Sequence, residues 1–170
     1  MIEQYPILQV DNWAIYTIVG NAVPFYRYWN GIDHFYTTNG KEIGTTVAGV
    51  KGHHGYISEG TQCNIHTQPV SGTQPLYRYF NGREHFYTLD KNEIGTIVTG
   101  KEGKHGYKSE GVAGYCFAIQ KAGTIPLYRY YGNEDHFYTT NTAEIGTTIK
   151  GKVGHHGYKS EAVACYVIPG

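Results

Sequence analysis

One stretch is written three times along this chain: Pro75-Leu-Tyr-Arg-Tyr-Phe-Asn-Gly-Arg-Glu-His-Phe-Tyr-Thr88, with near-copies starting at Pro24 and Pro126. The interval is 51 residues each time, without insertion or deletion, so Arg27, Arg78 and Arg129 are equivalent, as are His34, His85 and His136. Each copy runs on in step through an Asn or Asp (Asn39, Asp90, Asn141), a Glu three residues later (Glu42, Glu93, Glu144) and Ile-Gly-Thr. A Gly-rich passage then ends in His-Gly-Tyr and is followed by Ser-Glu (Glu59, Glu110, Glu161). A spacing this regular is an internal repeat, and it decides the architecture.

Within a unit, Leu76–Phe80 and Glu84–Thr88 are β-rich runs separated by Asn81-Gly82, a strong short hairpin signal. The first copy has Asn30-Gly31 at the turn and the third has Gly132-Asn133. Period two puts Tyr77 and Tyr79 on one face, opposite Leu76 and Arg78, and His85 and Tyr87 opposite Phe86 and Thr88. Half of these rings must be exposed or pack on a neighbouring unit. The Asn/Asp-x-x-Glu element reads as a capping box opening one or two helical turns, with Glu42, Glu93 and Glu144 reaching back to the cap. The loops Gly49–Gly55, Gly100–Gly106 and Gly151–Gly157 are rich in φ-permissive positions. None continues as Gly-Lys-Ser/Thr opening a long helix after a strand, which argues against a phosphate loop.

A last apolar run closes each unit, at 61–66, 112–119 and 163–168, and residues 13–18 fall where a fourth such strand belongs. The expectation is a single domain over 1–170: an N-terminal segment 1–23 with an extra strand, then repeats 24–74, 75–125 and 126–170. The fold class is all-β with short helical turns, three units about a pseudo-threefold axis, trefoil-like, with a small three-unit propeller or prism as the alternative. The extra strand either completes a circular arrangement or pairs with a second subunit.

Formal net charge is zero, which removes the electrostatic reason to expect nucleic acid or an anionic membrane as partner. No apolar run approaches the ~20 residues that span a bilayer. The start, Met1-Ile-Glu-Gln-Tyr-Pro6, has neither a basic nor a long apolar region, so it reads as a mature or cytosolic chain. Cys63, Cys116 and Cys165 are odd in number and irregular within the repeat, so buried thiols are expected, with one bridge or an intersubunit bond as the minority case.

The pattern Pro-Leu-Tyr-Arg-Tyr, Asp/Glu-His-Phe-Tyr-Thr, Glu, Gly-Tyr-x-x-Glu-Gly resembles the tandem repeat, usually in threes, of secreted or surface proteins commonly called lectin-like. The resemblance covers residues 24–170, and size and triplication are similar to the sea-anemone type of galactose-binding lectin. It implies a secreted homodimer that recognises terminal β-galactosides on glycans, with calcium coordinating sugar hydroxyls. The chain departs from the broader repeat in its longer Gly-rich loop and in the closing Gly-Tyr, which is Cys63-Asn64 in the first copy and Cys165-Tyr166 in the third.

Sugar binding needs a flat ring against the apolar C–H face and planar polar groups that pair with neighbouring hydroxyls. The candidate sugar contacts are His54, His105 and His156 of the Gly-rich loops, Tyr56, Tyr107 and Tyr158 beside them, Trp29, and Arg27, Arg78 and Arg129. Calcium takes oxygen ligands only, which points to Asp33, Glu84 and Asp135 before the hairpin histidine and to Glu59, Glu110 and Glu161 after Gly-Tyr. The competing reading makes the same arginines and glutamates scaffold ion pairs. Zinc on His34, His54 and a carboxylate lacks compact ligand spacing. A glycosidase needs two carboxylates with separated acidities across one cleft, which is awkward to derive from three near-equal units, and no Gly-x-Ser-x-Gly elbow occurs.

Overall fold

A computed structural model describes residues 19–170, so the strand expected at 13–18 lies outside the described residues. The described chain is all-β and antiparallel, with only short 3-10 turns between strands. Its nine strands are β1 (Ala22–Trp29), β2 (His34–Thr37), β3 (Ile57–His66), β4 (Thr73–Phe80), β5 (His85–Thr88), β6 (Lys108–Phe117), β7 (Ile125–Gly132), β8 (Asp135–Thr139) and β9 (Lys159–Val167). In each unit the middle strand carries the hairpin partner on one edge and the closing strand on the other: β2-β1-β3, β5-β4-β6 and β8-β7-β9. The closing strands start directly after His-Gly-Tyr, four residues earlier than the apolar run indicates, because the stretch Ile57–Gly60 pairs with the end of β1 despite its polar residues.

The three groups meet through single residue pairs, His66 with Tyr115, Phe117 with Tyr166, and Asn64 with Ile168. The last of these, closed by two backbone bonds of 2.8 and 3.0 Å, ties the end of the third group to the first.

The hairpin signal holds, but the three turns are not alike. Asn30 and Asn81 accept the amides two and three residues on through their side-chain oxygens, the Asx geometry that a four-residue connection uses. In the third copy β7 and β8 run on to the pair Gly132–Asp135, leaving a two-residue turn whose Asn133 and Glu134 both take positive φ. Each closing strand also shifts register against its middle strand, and the bulge residue is left-handed: Gly60, Gly111 and, in the third copy, Ala162 at φ 66°.

The Gly-rich loops owe part of their glycine to crowding. A Cβ on Gly52, Gly103 or Gly154 would stand 2.1–2.2 Å from the carbonyl oxygen of Ile43, Ile94 or Ile145, the same carbonyl that accepts the next amide of the loop. The loop thereby docks on the preceding turn and presents His54, His105 and His156 at φ 58–60°, exposed to solvent.

The short strands β2 and β5 are buried on both faces, as is β8, so the rings that period two sends to opposite sides are covered by neighbouring units. Tyr36, Tyr87 and Tyr138 point into one core with Phe25, Leu76, Leu127 and the three cysteines. Their rings meet edge-on at 5.3–5.4 Å, and their hydroxyls close a circle. Tyr87 donates to the Tyr36 carbonyl at 2.6 Å and accepts the Tyr36 amide at 2.7 Å; Tyr138 does the same for Tyr87, and Tyr36 for Tyr138. The thiols of Cys63, Cys116 and Cys165 are all buried and free, as the irregular spacing indicated, and burial pushes those of Cys63 and Cys165 well above the ordinary range.

Two stability outcomes follow. Tyr87→Phe leaves both backbone groups of Tyr36 buried without partners and is expected to cost about 2–6 kcal/mol, read from urea unfolding; a loss below about 1 kcal/mol would contradict this role for the ring of hydroxyls. Ala162→Gly relieves a left-handed non-glycine residue and is expected to raise stability by about 0.5–1 kcal/mol, whereas an equal or lower midpoint would show that the bulge carries no strain.

Candidate functional site

The residue before each hairpin histidine is acidic, and the strand start turns it inward. Asp33, Glu84 and Asp135 are buried and lie together. Each is held by three donors: Asp33 accepts the backbone amide and Nδ1 of His85 at 2.8 and 2.5 Å and the Tyr56 hydroxyl at 2.6 Å. Asp135 accepts the same set from His34 and Tyr158 at 2.6–2.9 Å. Glu84 accepts from His136 and from the Tyr107 hydroxyl. Every imidazole therefore reaches from one unit to the carboxylate of another.

The other imidazole nitrogen, Nε2, faces outward to a second carboxylate: His34 to Glu59 at 3.7 Å, His85 to Glu110 at 3.2 Å and His136 to Glu161 at 3.4 Å. An arginine fixes that carboxylate. Arg78 donates Nε to Glu110 Oε1 at 2.9 Å and its two terminal nitrogens to Glu42 of the preceding unit at 3.0–3.1 Å. Arg27 bridges Glu59 and Glu144 in the same way, and Arg129 bridges Glu161 and Glu93. Each guanidinium also lies over a phenylalanine of the unit that supplies the bidentate glutamate, 4.8–5.0 Å from the ring centre of Phe137, Phe35 or Phe86.

Glu42, Glu93 and Glu144 are thus not the returning arm of a capping box. Asn39, Asp90 and Asn141 do accept an amide of the turn. The backbone amides of these residues, however, donate to the hydroxyls of Thr37, Thr88 and Thr139, and it is those hydroxyls that donate to the glutamates at 2.5 Å. The glutamates prefer this route because a bidentate arginine is available across the unit boundary. Sequence reading missed this clamp, although the repeated Thr at five residues before the Glu was a signal for it.

Among the described residues, three clefts lie on the boundaries between units. The first, about 690 Å³, has Phe35, His54 and Tyr56 on one side and Arg78, Phe80 and Glu110 on the other. A second, about 530 Å³, sets Phe137, His156 and Tyr158 against Arg27, Trp29 and Glu59. The third, about 200 Å³, sets Phe86, His105 and Tyr107 against Arg129, His136 and Glu161. The ring at the position of Trp29 stacks on the imidazole below it: Trp29 on His34 at 4.2 Å, Phe80 on His85 at 4.5 Å, and Tyr131 tilted on His136 at 4.6 Å.

The expected sugar contacts do converge, but with different tasks. His54, His105 and His156 are exposed on one wall. Tyr56, Tyr107 and Tyr158 are buried, and their hydroxyls are spent on the inner carboxylates, which pushes their ionisation up above the ordinary range through burial first and the neighbouring carboxylate second. Arg27, Arg78 and Arg129 are committed to pairs of glutamates, as the scaffold reading holds.

The expected calcium ligands fall into two separate sets, of which Asp33, Glu84 and Asp135 lie together. Calcium takes six to eight oxygens; Asp33, Glu84 and Asp135 bring carboxylate oxygens within 4.8 Å of one another, each carboxylate already bonded to two nitrogens and a hydroxyl. An imidazole stands between each of them and Glu59, Glu110 or Glu161, so the two acidic sets never share a shell. The zinc set of His34, His54 and a carboxylate is likewise not brought together among the described residues.

Charge within the network sets a pH window. Burial alone would lower His85 and His136, but hydrogen bonds and the charges of Asp33 and Glu110 around the first, and of Glu161 and Glu84 around the second, outweigh it and raise both above 6.5. Burial would raise Glu42, Glu93, Glu144, Glu110 and Glu161, but their arginine, threonine and histidine donors hold them below 4.5. The imidazole contribution to stability is full below 6.5 and is lost as pH rises through the raised values; the carboxylate contribution is full above 4.5 and is lost as pH falls through the lowered ones. Urea midpoints are therefore expected to peak at mildly acid pH and fall on both sides, and a plateau extending unchanged well above neutrality would count against the paired imidazoles.

No curated protein and no solved structure matches the chain. One family profile does, described as a domain of unknown function (DUF5648), and it matches residues 24–168, from the first Pro-x-Tyr-Arg-Tyr strand to the pair that ties the third group of strands to the first. On that extent the chain belongs to the DUF5648 family.

Proposed function

We propose that the protein is a non-enzymatic, carbohydrate-binding lectin that takes galactose-type termini of neutral glycans in its boundary clefts. The observation that carries this reading is the recurrence, three times, of a cleft with an aromatic wall, an exposed histidine and a floor of oriented arginine and glutamate. A pyranose needs a flat apolar surface and rigid planar hydrogen-bonding groups, and each cleft offers both. Three such clefts in one chain make binding multivalent, which compensates for weak single contacts by raising avidity ~10²–10⁴-fold. The arrangement we favour places the repeats about a pseudo-threefold axis, and three-stranded groups side by side suit the small propeller better than a trefoil. The homodimer belongs to the same proposal.

Catalysis is disfavoured because a glycosidase acid must keep its proton near neutrality, and the cleft glutamates whose acidity is shifted are all shifted the other way. The histidine and tyrosine donors already on the inner carboxylates favour binding without calcium. A scaffold or protein-interaction module is the second reading, favoured by the same internal pairing of the repeated polar residues.

Calorimetric titration with lactose, with calcium and after chelation, tests the reading. Heat of equal size in both conditions is expected, and it should weaken by about tenfold or more in the variant His54→Ala, His105→Ala, His156→Ala while the unfolding midpoint stays within ordinary surface-substitution limits. Lactose heat that requires calcium would overturn the metal-independent site; no heat from lactose or other neutral glycans would favour the interaction module.

A further inference from the structure

The two glutamates on each arginine look alike in burial but differ in what their oxygens do. Glu42, Glu93 and Glu144 have both oxygens engaged: Oε1 takes the threonine hydroxyl and one guanidinium nitrogen, and Oε2 takes the other. Glu59, Glu110 and Glu161 receive the arginine Nε on Oε1 alone, and the histidine Nε2 faces the same oxygen. No donor among the described residues reaches their Oε2. Their side chains are 30–32 % exposed, and they line the second, first and third clefts respectively. A carboxylate anchored through Oε1 stays at the cleft and leaves its second oxygen available to a further donor.

We infer that the unengaged Oε2 of Glu59, Glu110 and Glu161 is the hydroxyl acceptor of each cleft and the group that selects its ligand. The inference rests on the lectin reading and deepens it. An ionised carboxylate is an acceptor only, so it rewards a ligand that turns hydroxyl donors toward it. It repels a terminus that brings its own carboxylate or sulfate. The arginine does not offset this, because each guanidinium is already shared between two carboxylates. The ligand class is then a neutral glycan terminus with vicinal hydroxyls, and a sialylated or sulfated cap on the same glycan blocks entry.

The test compares lactose with 3′-sialyllactose by calorimetry on the full chain and on the variant Glu59→Gln, Glu110→Gln, Glu161→Gln. Glutamine keeps the shape and an acceptor for the arginine but replaces the charged oxygen. Lactose affinity should fall about 10- to 100-fold, the worth of one charge-assisted hydrogen bond, and the preference for lactose over its sialylated form should shrink. Unchanged affinity and preference would overturn the assignment. If the triple variant does not fold, each single variant should remove one binding site. A ligand-free measurement separates this inference from the lectin reading: carbodiimide coupling to glycine ethyl ester, followed by peptide mass spectrometry. Glu59, Glu110 and Glu161 should react ahead of Glu42, Glu93 and Glu144, whose 31–33 % exposure is equal but whose oxygens are bonded. Equal reactivity overturns the acceptor role, whereas the expected pattern without lactose binding leaves it standing and removes the galactose reading.

Discussion

The circle of tyrosine hydroxyls is the interaction on which the other layers rest. A two-stranded hairpin has an outer edge whose amides and carbonyls need partners, and here that edge is buried in the middle of the molecule, where water cannot supply them. The usual remedy is another strand. Instead, the hydroxyl of Tyr87 both accepts from and donates to Tyr36, and the same exchange recurs at Tyr87 and at Tyr138. Phenol is suited to this because one oxygen serves as donor and acceptor at the end of an apolar ring that fills the core.

Two residues earlier in each strand, the same logic passes from neutral to charged groups. The amide of His34, His85 or His136 goes to a carboxylate of another unit, and the imidazole carries the connection on to a second carboxylate at the surface. Threonine, glutamate, arginine and glutamate complete a path from turn to cleft in which every charged group faces an opposite one. Such a network is costly when broken in part, since a single truncation strands a half-buried charge. It also gives the clefts their polar floors, so the residues that hold the units together are the residues that line the clefts.

The sequence made the repeat, the hairpins, the β class and the buried thiols legible, because spacing and turn chemistry are local properties. It also placed the residues of the clefts on one list. What it could not assign was direction. Arg78 has an acidic candidate in its own unit, Glu110, and takes it, but its bidentate partner is Glu42, 36 residues away in the preceding unit. That Asp33 is buried and bonded to His85 and Tyr56 was equally out of reach, because an exposed carboxylate and a buried, triply bonded one are written with the same letter. Tyr56 looked like a sugar platform because its ring borders a loop, although its hydroxyl turns inward. For Arg78 the cause is the repeat itself: in three near-identical copies, a contact to the next copy and a contact within the copy leave the same trace in the sequence.

The handing of bonds from unit to neighbour has a consequence for how such a chain can be lengthened or shortened. The strand tyrosine, the hairpin histidine and the terminal guanidinium nitrogens of each unit are met by the other two: those of the first by the second and third, those of the second by the third and first, those of the third by the first and second. In an open solenoid a copy can be gained or lost at the end, and stability changes by one increment. Here a chain of two copies would leave an unanswered tyrosine, imidazole and arginine at its break, and a fourth copy would find every partner taken. Copy number is therefore a closed quantity, whereas the point at which the circle is cut to give a beginning and an end is free: a permuted chain that opened between other units would keep every one of these bonds.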